Sequence, residues 1–200
     1  MRTPLRVVAP LLLVASLASA QTRALKVYIS VDMEGISGVV SPDHTNSESR
    51  EYAAARHWMA GDVNAVVAGL LAAGATEIVV NDSHGGMTNI LPDDLRPEAT
   101  LISGTPKPLA MMAGIDRTYE AVVFVGYHAK AGTEGATLDH TISGATVHGI
   151  KVNGIEMPEL GLNAAIAGST RAAPMPSRTD QPRVRIATVG ANAVMADPQA

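Results

Sequence analysis

Val27-Tyr28-Ile29-Ser30-Val31-Asp32-Met33-Glu34-Gly35-Ile36-Ser37-Gly38 decides the reading of this chain. The apolar run in its first half is short and does not alternate, which is the pattern of a strand buried on both faces of a parallel sheet. It ends in two carboxylates two residues apart, followed by glycines. Side chains at i and i+2 of extended backbone point the same way, so Asp32 and Glu34 are expected to converge. Carboxylates held together repel unless a proton or a cation lies between them, and a divalent metal is one answer. A loop with a helix cap is the other.

The arrangement recurs. Glu77-Ile78-Val79-Val80-Asn81-Asp82-Ser83-His84-Gly85-Gly86 is a β-branched run closing on polar residues and glycines, and Ala121-Val122-Val123-Phe124-Val125-Gly126-Tyr127-His128 is a third. Ligands of open α/β sheets bind beyond the carboxyl ends of the strands, where Asp32, Glu34, Asp82, His84 and His128 all fall. Imidazole mixed with carboxylate suits zinc or another borderline divalent ion better than calcium. Thr137-Leu138-Asp139-His140 adds a histidine in a polar, glycine-flanked segment. Pro158-Glu159 stands where a helix could begin, so Glu159 is either a ligand or a residue complementing the helix N-terminus.

Between the first two strands, Met59, Val63, Val66, Val67, Leu70 and Leu71 recur at helical spacing, with Gly74 as the stop and Asn46 to Ser49 offering start caps. Strand, helix, strand predicts a right-handed βαβ unit. The expected fold is therefore α/β: a mostly parallel sheet flanked by helices, with a metal site at the carboxyl ends of the strands. Ala99 to Ser103 should add a short strand and Thr146 to Glu156 a hairpin turning at Asn153-Gly154, while Met111 and Met112 read as core fillers.

Composition narrows the function. The 200 residues are 46% hydrophobic but only 3% aromatic, so aliphatic side chains must build the core. Net charge is −4 with no basic patch, which argues against nucleic acid as a partner. There is no cysteine, so thiol catalysis is excluded. Neither a Gly-x-Ser-x-Gly elbow nor a lysine-containing phosphate loop occurs.

Taken in order, Val31-Asp32-Met33-Glu34-Gly35-Ile36-Ser37-Gly38, Asn81-Asp82-Ser83-His84, Leu101-Ile102-Ser103-Gly104, Gly126-Tyr127-His128-Ala129, His140 and Glu159-Leu160-Gly161-Leu162-Asn163 resemble the zinc-dependent D-aminopeptidases of the DppA type. The resemblance runs from Leu25 to Gly168. It implies a binuclear peptidase removing N-terminal D-amino acids from short peptides, with about two Zn2+ ions per chain, as a two-metal site requires. It makes Asp32 the bridging ligand, Glu34, His84, His128 and Glu159 the remaining metal ligands, and His140 the catalytic histidine. Asp82 has no ligand role in the family and reads as a supporting or loop-capping residue. His44, His57 and His148 match nothing catalytic. The family also implies a homo-oligomer. The competing functional readings are a catalytically inactive metal-binding remnant of the family and another two-metal hydrolase such as a phosphoesterase, for which Lys107 and Lys130 are the nearest phosphate-binding candidates.

Met1 to Ala20 has the form of a secretory signal: Arg2 and Arg6, an apolar centre from Val7 to Leu17, then Ala18-Ser19-Ala20. It predicts a secreted or periplasmic protein with no stable membrane anchor after cleavage. The expected organisation is a signal over 1–20, a metallo-aminopeptidase N-terminal domain over 21–168, and a divergent, disordered tail over 169–200. From Arg171 onward there is no lysine or glutamate, and alanine, arginine and proline dominate. That shift predicts a frameshifted or shortened gene. Val184 to Val189 could form one strand, isolated by Pro174, Pro176 and Pro182.

Overall fold

A computed structural model describes residues 24–170 and 185–189. The three apolar runs become strands β1 (Leu25–Val31), β2 (Ala75–Asp82) and β4 (Ala121–Val125). With β3 (Ala99–Ile102) and β7 (Arg185–Val189) they form one five-stranded sheet in the order β3-β2-β1-β4-β7, and every pairing is parallel. The three strands that lead to the candidate ligands are the central ones, which explains their largely apolar character. Val31 lies opposite Asp82 on one side and Val125 on the other, so β1, β2 and β4 end level with one another.

Helices cover the sheet on both faces. Helix α1 (Pro42–Thr45) is a single turn capped by Ser41, whose hydroxyl accepts the Asp43 amide, with Pro42 at the first position. Helix α2 (Tyr52–Ala72) follows. The expected apolar stripe is correct: Met59, Val63 and Val67 are fully buried against Val27, Ile29, Val31, Ile78 and Val80, with Val66, Leu70 and Leu71 packed around them. Gly74 at φ +90° ends the helix, a left-handed conformation that glycine adopts without penalty. The start differs, because Asn46 and Ser49 accept amides of the preceding turn, from Glu48 and Glu51, instead of capping α2 itself.

The opposite face buries Tyr28, Val79, Val122 and Phe124 against Met111, Met112 and helix α3 (Glu159–Ser169). Both methionines fill this core as expected. Strands β5 (Ile150–Val152) and β6 (Ile155–Met157) form the hairpin, turning at Asn153-Gly154 with positive φ at both residues.

The last strand corrects the expected organisation. Arg185–Val189 was placed in a disordered tail, yet it pairs with β4 along its whole length as β7, and the Gly126 amide donates to the Val189 carbonyl. A strand with aliphatic residues at three of its five positions extends a parallel sheet edge whatever prolines precede it. The signal over 1–20 and residues 171–184 and 190–200 of the tail lie outside the described residues, while Ser169 and Thr170 close helix α3. Among those described, no helix is long and apolar enough to cross a membrane.

Candidate metal centre

Each predicted ligand hangs from a strand end or a helix start. Asp32 follows β1, and its amide donates to the Val125 carbonyl, prolonging the ladder by one residue. The chain then turns, with the Ile36 amide donating to the Met33 carbonyl. Glu34 therefore reaches the site from a turn rather than by extended alternation. That turn lies against the end of β4: the Gly35 amide donates to the Gly126 carbonyl at 2.7 Å. A side chain on Gly35 would overlap the Tyr127 carbonyl, and one on Gly126 would overlap the Asp32 carbonyl and Ile36. Only two glycines permit this approach.

His84, His128 and Glu159 converge on the pair. His84 Nδ1 lies 3.3 Å from Asp32 Oδ1 and 3.2 Å from Glu34 Oε2. His128 Nε2 lies 3.6 Å from Asp32 Oδ2 and 3.4 Å from Glu159 Oε1. The two oxygens of Asp32 thus face different histidines. Glu159 is the first residue of α3, but its carboxylate makes no capping bond there. It turns inward, accepts the Ile142 amide at 2.6 Å and faces both His128 and His140. His140 stacks on His128, ring centroids 4.0 Å apart, with Nε2 3.6 Å from Glu159 Oε1.

Backbone carbonyls fix the imidazoles. A carbonyl can only accept, so His84 carries a proton on Nε2 for Thr45, His128 on Nδ1 for Ala129, and His140 on Nδ1 for Leu138. The other nitrogen of each ring is turned toward the carboxylates, which is how a neighbouring acceptor orients a metal-binding imidazole.

Two overlapping groups bring their ligand atoms within 4.8 Å of one another: Asp32, Glu34 and His128, and His128, His140 and Glu159. The donor set fits a borderline divalent cation. Asp32 Oδ2, Glu34 Oε2 and His128 Nε2 are buried without a hydrogen bond among the described residues; the Glu34–His84 approach is close but poorly aligned. Orphaned acceptors and an imidazole nitrogen aimed at one point are costly unless a cation joins them.

The same crowding shapes the titration. Burial and the neighbouring Glu34 charge push Asp32 up to about 7. Burial would also raise Glu34, but contact with His84 outweighs it and holds Glu34 down at about 2. Burial works against charge on the histidines, yet the carboxylates overcome it, lifting His84 to about 11 and His128 to about 9. Without a metal, the cluster gathers protons on its histidines to offset its carboxylates.

The remaining candidates sort cleanly. Asp82 is fully buried but turned away from the cluster: it accepts the Asn89 amide, the Asn89 side chain and the Ile90 amide. Asn89 also donates to the His84 carbonyl at 2.7 Å, so Asp82 shapes the loop that presents His84. His57 pairs with Asp94 on the surface, and His44 pairs with Glu51 while accepting the Val40 amide. Thr45 and Asn89 were missed. A Ser-Pro-Asp helix start was legible before Thr45; nothing in the sequence marks Asn89.

Fold and cluster together define a class: a parallel α/β protein with a candidate carboxylate–histidine metal cluster at the carboxyl ends of its central strands. Within that class the chain belongs to the D-aminopeptidase family, peptidase M55, which matches residues 25–174. It is 43% identical over 144 residues to a D-aminopeptidase of Bacillus subtilis (strain 168), covering 72% of this chain and 52% of that protein. It is also similar to a solved structure described as the Zn-dependent D-aminopeptidase DppA from Bacillus subtilis, a self-compartmentalizing protease, at TM-score 0.71 and 41% identity, over 74% of this chain and 53% of that one. The chain spans about half the length of the relatives it matches.

Proposed function

We propose that this chain is a zinc-dependent aminopeptidase that hydrolyses N-terminal D-amino acids from short peptides. The observation that carries the reading is the convergence of Asp32, Glu34, His84, His128 and Glu159, with buried donor atoms left unpaired, in a chain of the D-aminopeptidase family. Asp32, whose two oxygens face His84 and His128, would hold the zinc together with Glu34, His84, His128 and Glu159. When bound, the zinc pair supplies Lewis acidity, polarising the scissile carbonyl and lowering the pKa of the attacking water.

His140 has a different part. Its side chain is 26% exposed against 1% for His128, so it stands at the rim where substrate arrives. With Nδ1 tied to Leu138, its Nε2, 3.6 Å from Glu159 Oε1, would take a proton from water and give it to the leaving amine. The phosphoesterase alternative loses its cations: Lys107 donates to Asn81, the Asp82 carbonyl and the Ile102 carbonyl, and Lys130 pairs with Glu156.

The signal-like Met1 to Ala20 supports export to the periplasm or beyond, where D-amino-acid peptides from cell-wall turnover would be met. The self-compartmentalizing relative supports a homo-oligomer, for which the β5–β6 hairpin, with Ile155 exposed, offers a contact element.

The test is hydrolysis of dipeptides differing only in the configuration of the first residue. The expected result is cleavage of the D-configured peptide, abolished by a chelator and restored by zinc. A folded, zinc-loaded protein that cleaves neither peptide would overturn the peptidase reading and leave a metal-binding protein.

A further inference from the structure

Beside the candidate metal centre lies a second, fully buried layer of polar side chains, hydrogen-bonded to one another and not to the ligand side chains. Ser30, Asn81, Ser83, Tyr127 and Asn163 are all 5% exposed or less. Ser30 stands two residues before Asp32, Ser83 one before His84, Tyr127 one before His128, and Asn163 one helical turn after Glu159. Every element that carries a ligand therefore also sends a side chain into this layer.

The hydrogen bonds link each element to the next. Asn163 Nδ2 donates to the Tyr127 hydroxyl at 3.0 Å. Ser30 donates to the Met111 carbonyl at 2.7 Å, so its remaining capacity is as acceptor, and the Tyr127 hydroxyl donates to it at 2.7 Å. Ser83 lies 2.8 Å from Ser30, and Asn81 donates to both Ser83 and the Met111 carbonyl. A chain from α3 through β4 to β1 and β2 is thereby closed on one carbonyl, and each bond polarises the next.

We propose that Tyr127, acting with Ser30 and Asn163, is a positioning residue for the metal ligands: it sets the strand ends and the start of α3 at the separation a metal pair needs. This rests on the reading of the cluster as a zinc site. An apolar layer would fill the same space, but would not fix how far α3 stands from β4.

The experiment measures zinc dissociation constants by chelator competition on the full chain, with cobalt(II) absorption as a second readout of ligand geometry. Tyr127→Phe keeps the ring and removes the hydroxyl; it should weaken zinc about tenfold, the lower range for groups supporting metal ligands, and alter the cobalt spectrum. Because Tyr127 and Asn163 act through each other, Tyr127→Phe combined with Asn163→Leu should weaken zinc no more than Tyr127→Phe alone. Val122→Ala, a cavity in the same apolar cluster, should leave zinc affinity unchanged. Should Tyr127→Phe fail to fold, Ser30→Ala breaks the same chain with less loss of volume. Wild-type zinc affinity and cobalt spectrum in folded Tyr127→Phe would overturn the proposal, as would an equal loss in Val122→Ala. Failure of the wild-type chain itself to bind zinc would instead sink the metal reading on which the proposal stands.

Discussion

The Gly35 amide donates to the Gly126 carbonyl at 2.7 Å, joining the turn that carries Glu34 to the strand end that carries His128. No other residue type fits at either position. Gly126 also has φ +68°, where a side chain is strained whatever the space around it. Gly126→Ala should lower stability by about 3 kcal/mol, combining backbone strain with overlap on Asp32 and Ile36. Gly86→Ala, which would meet only Thr88 at 3.9 Å, should be close to neutral. Urea unfolding of the two variants checks the contrast.

The titration of the cluster gives the metal-free protein a pH signature. His84 and His128 are raised from 6.5 to about 11 and about 9, so their contribution to stability is complete below about pH 6.5 and fades as pH rises through those values. Asp32, raised from 3.8 to about 7, is a cost that builds as pH rises from about 3.8 to about 7 and stays constant above that. Glu34, held at about 2 against an ordinary 4.5, contributes above about pH 4.5 and loses that only as pH falls through about 2. The melting temperature in chelator should therefore fall between pH 7 and 10. Zinc, which replaces the protons, should bind more tightly across the same range and reverse the fall. A chelated protein whose melting temperature is flat or rises there would contradict the assignment.

Asp82 tests the support of the loop bearing His84. Asp82→Ala removes the acceptor for two amides and the Asn89 side chain, leaving buried donors unpaired. A loss of about 3 kcal/mol follows from the unmet hydrogen bonds. Zinc affinity should weaken without being abolished, because His84 is loosened and not removed. Calorimetric unfolding and zinc titration read the two effects separately.

His140 and His128 stack, yet their replacements should behave differently. His128→Ala removes the nitrogen common to both ligand groups and should abolish high-affinity zinc binding. His140→Ala should keep the zinc and lose about 10²- to 10⁴-fold in kcat, the usual range for a general acid–base group. Loss of zinc from His140→Ala would move it into the ligand set.

The strands, their parallel pairing and the position of Asp32, His84 and His128 just beyond their carboxyl ends were legible because both-face burial leaves so little choice of residue. Val27 to Val31 and Val122 to Val125 can hardly be read otherwise. Glu159 was ambiguous, since a glutamate opening a helix satisfies the N-terminus equally well; only its inward turn to the Ile142 amide distinguishes the roles. The one-residue-accurate register among β1, β2 and β4 was not legible, because strand pairing depends on tertiary contacts that no local pattern encodes. Nor was the joining of β7 to β4: a short run with Ile186, Ala187 and Val189 shows that it can be a strand, not which edge it extends.

Bound zinc per chain, measured by elemental analysis on folded wild-type protein and on Asp32→Ala, addresses the central claim most directly. A two-metal site predicts about two ions per wild-type chain, and the loss of most of that zinc when the carboxylate facing both His84 and His128 is removed. Folded wild-type protein that holds no zinc, or an Asp32→Ala variant that keeps the full complement, would contradict it.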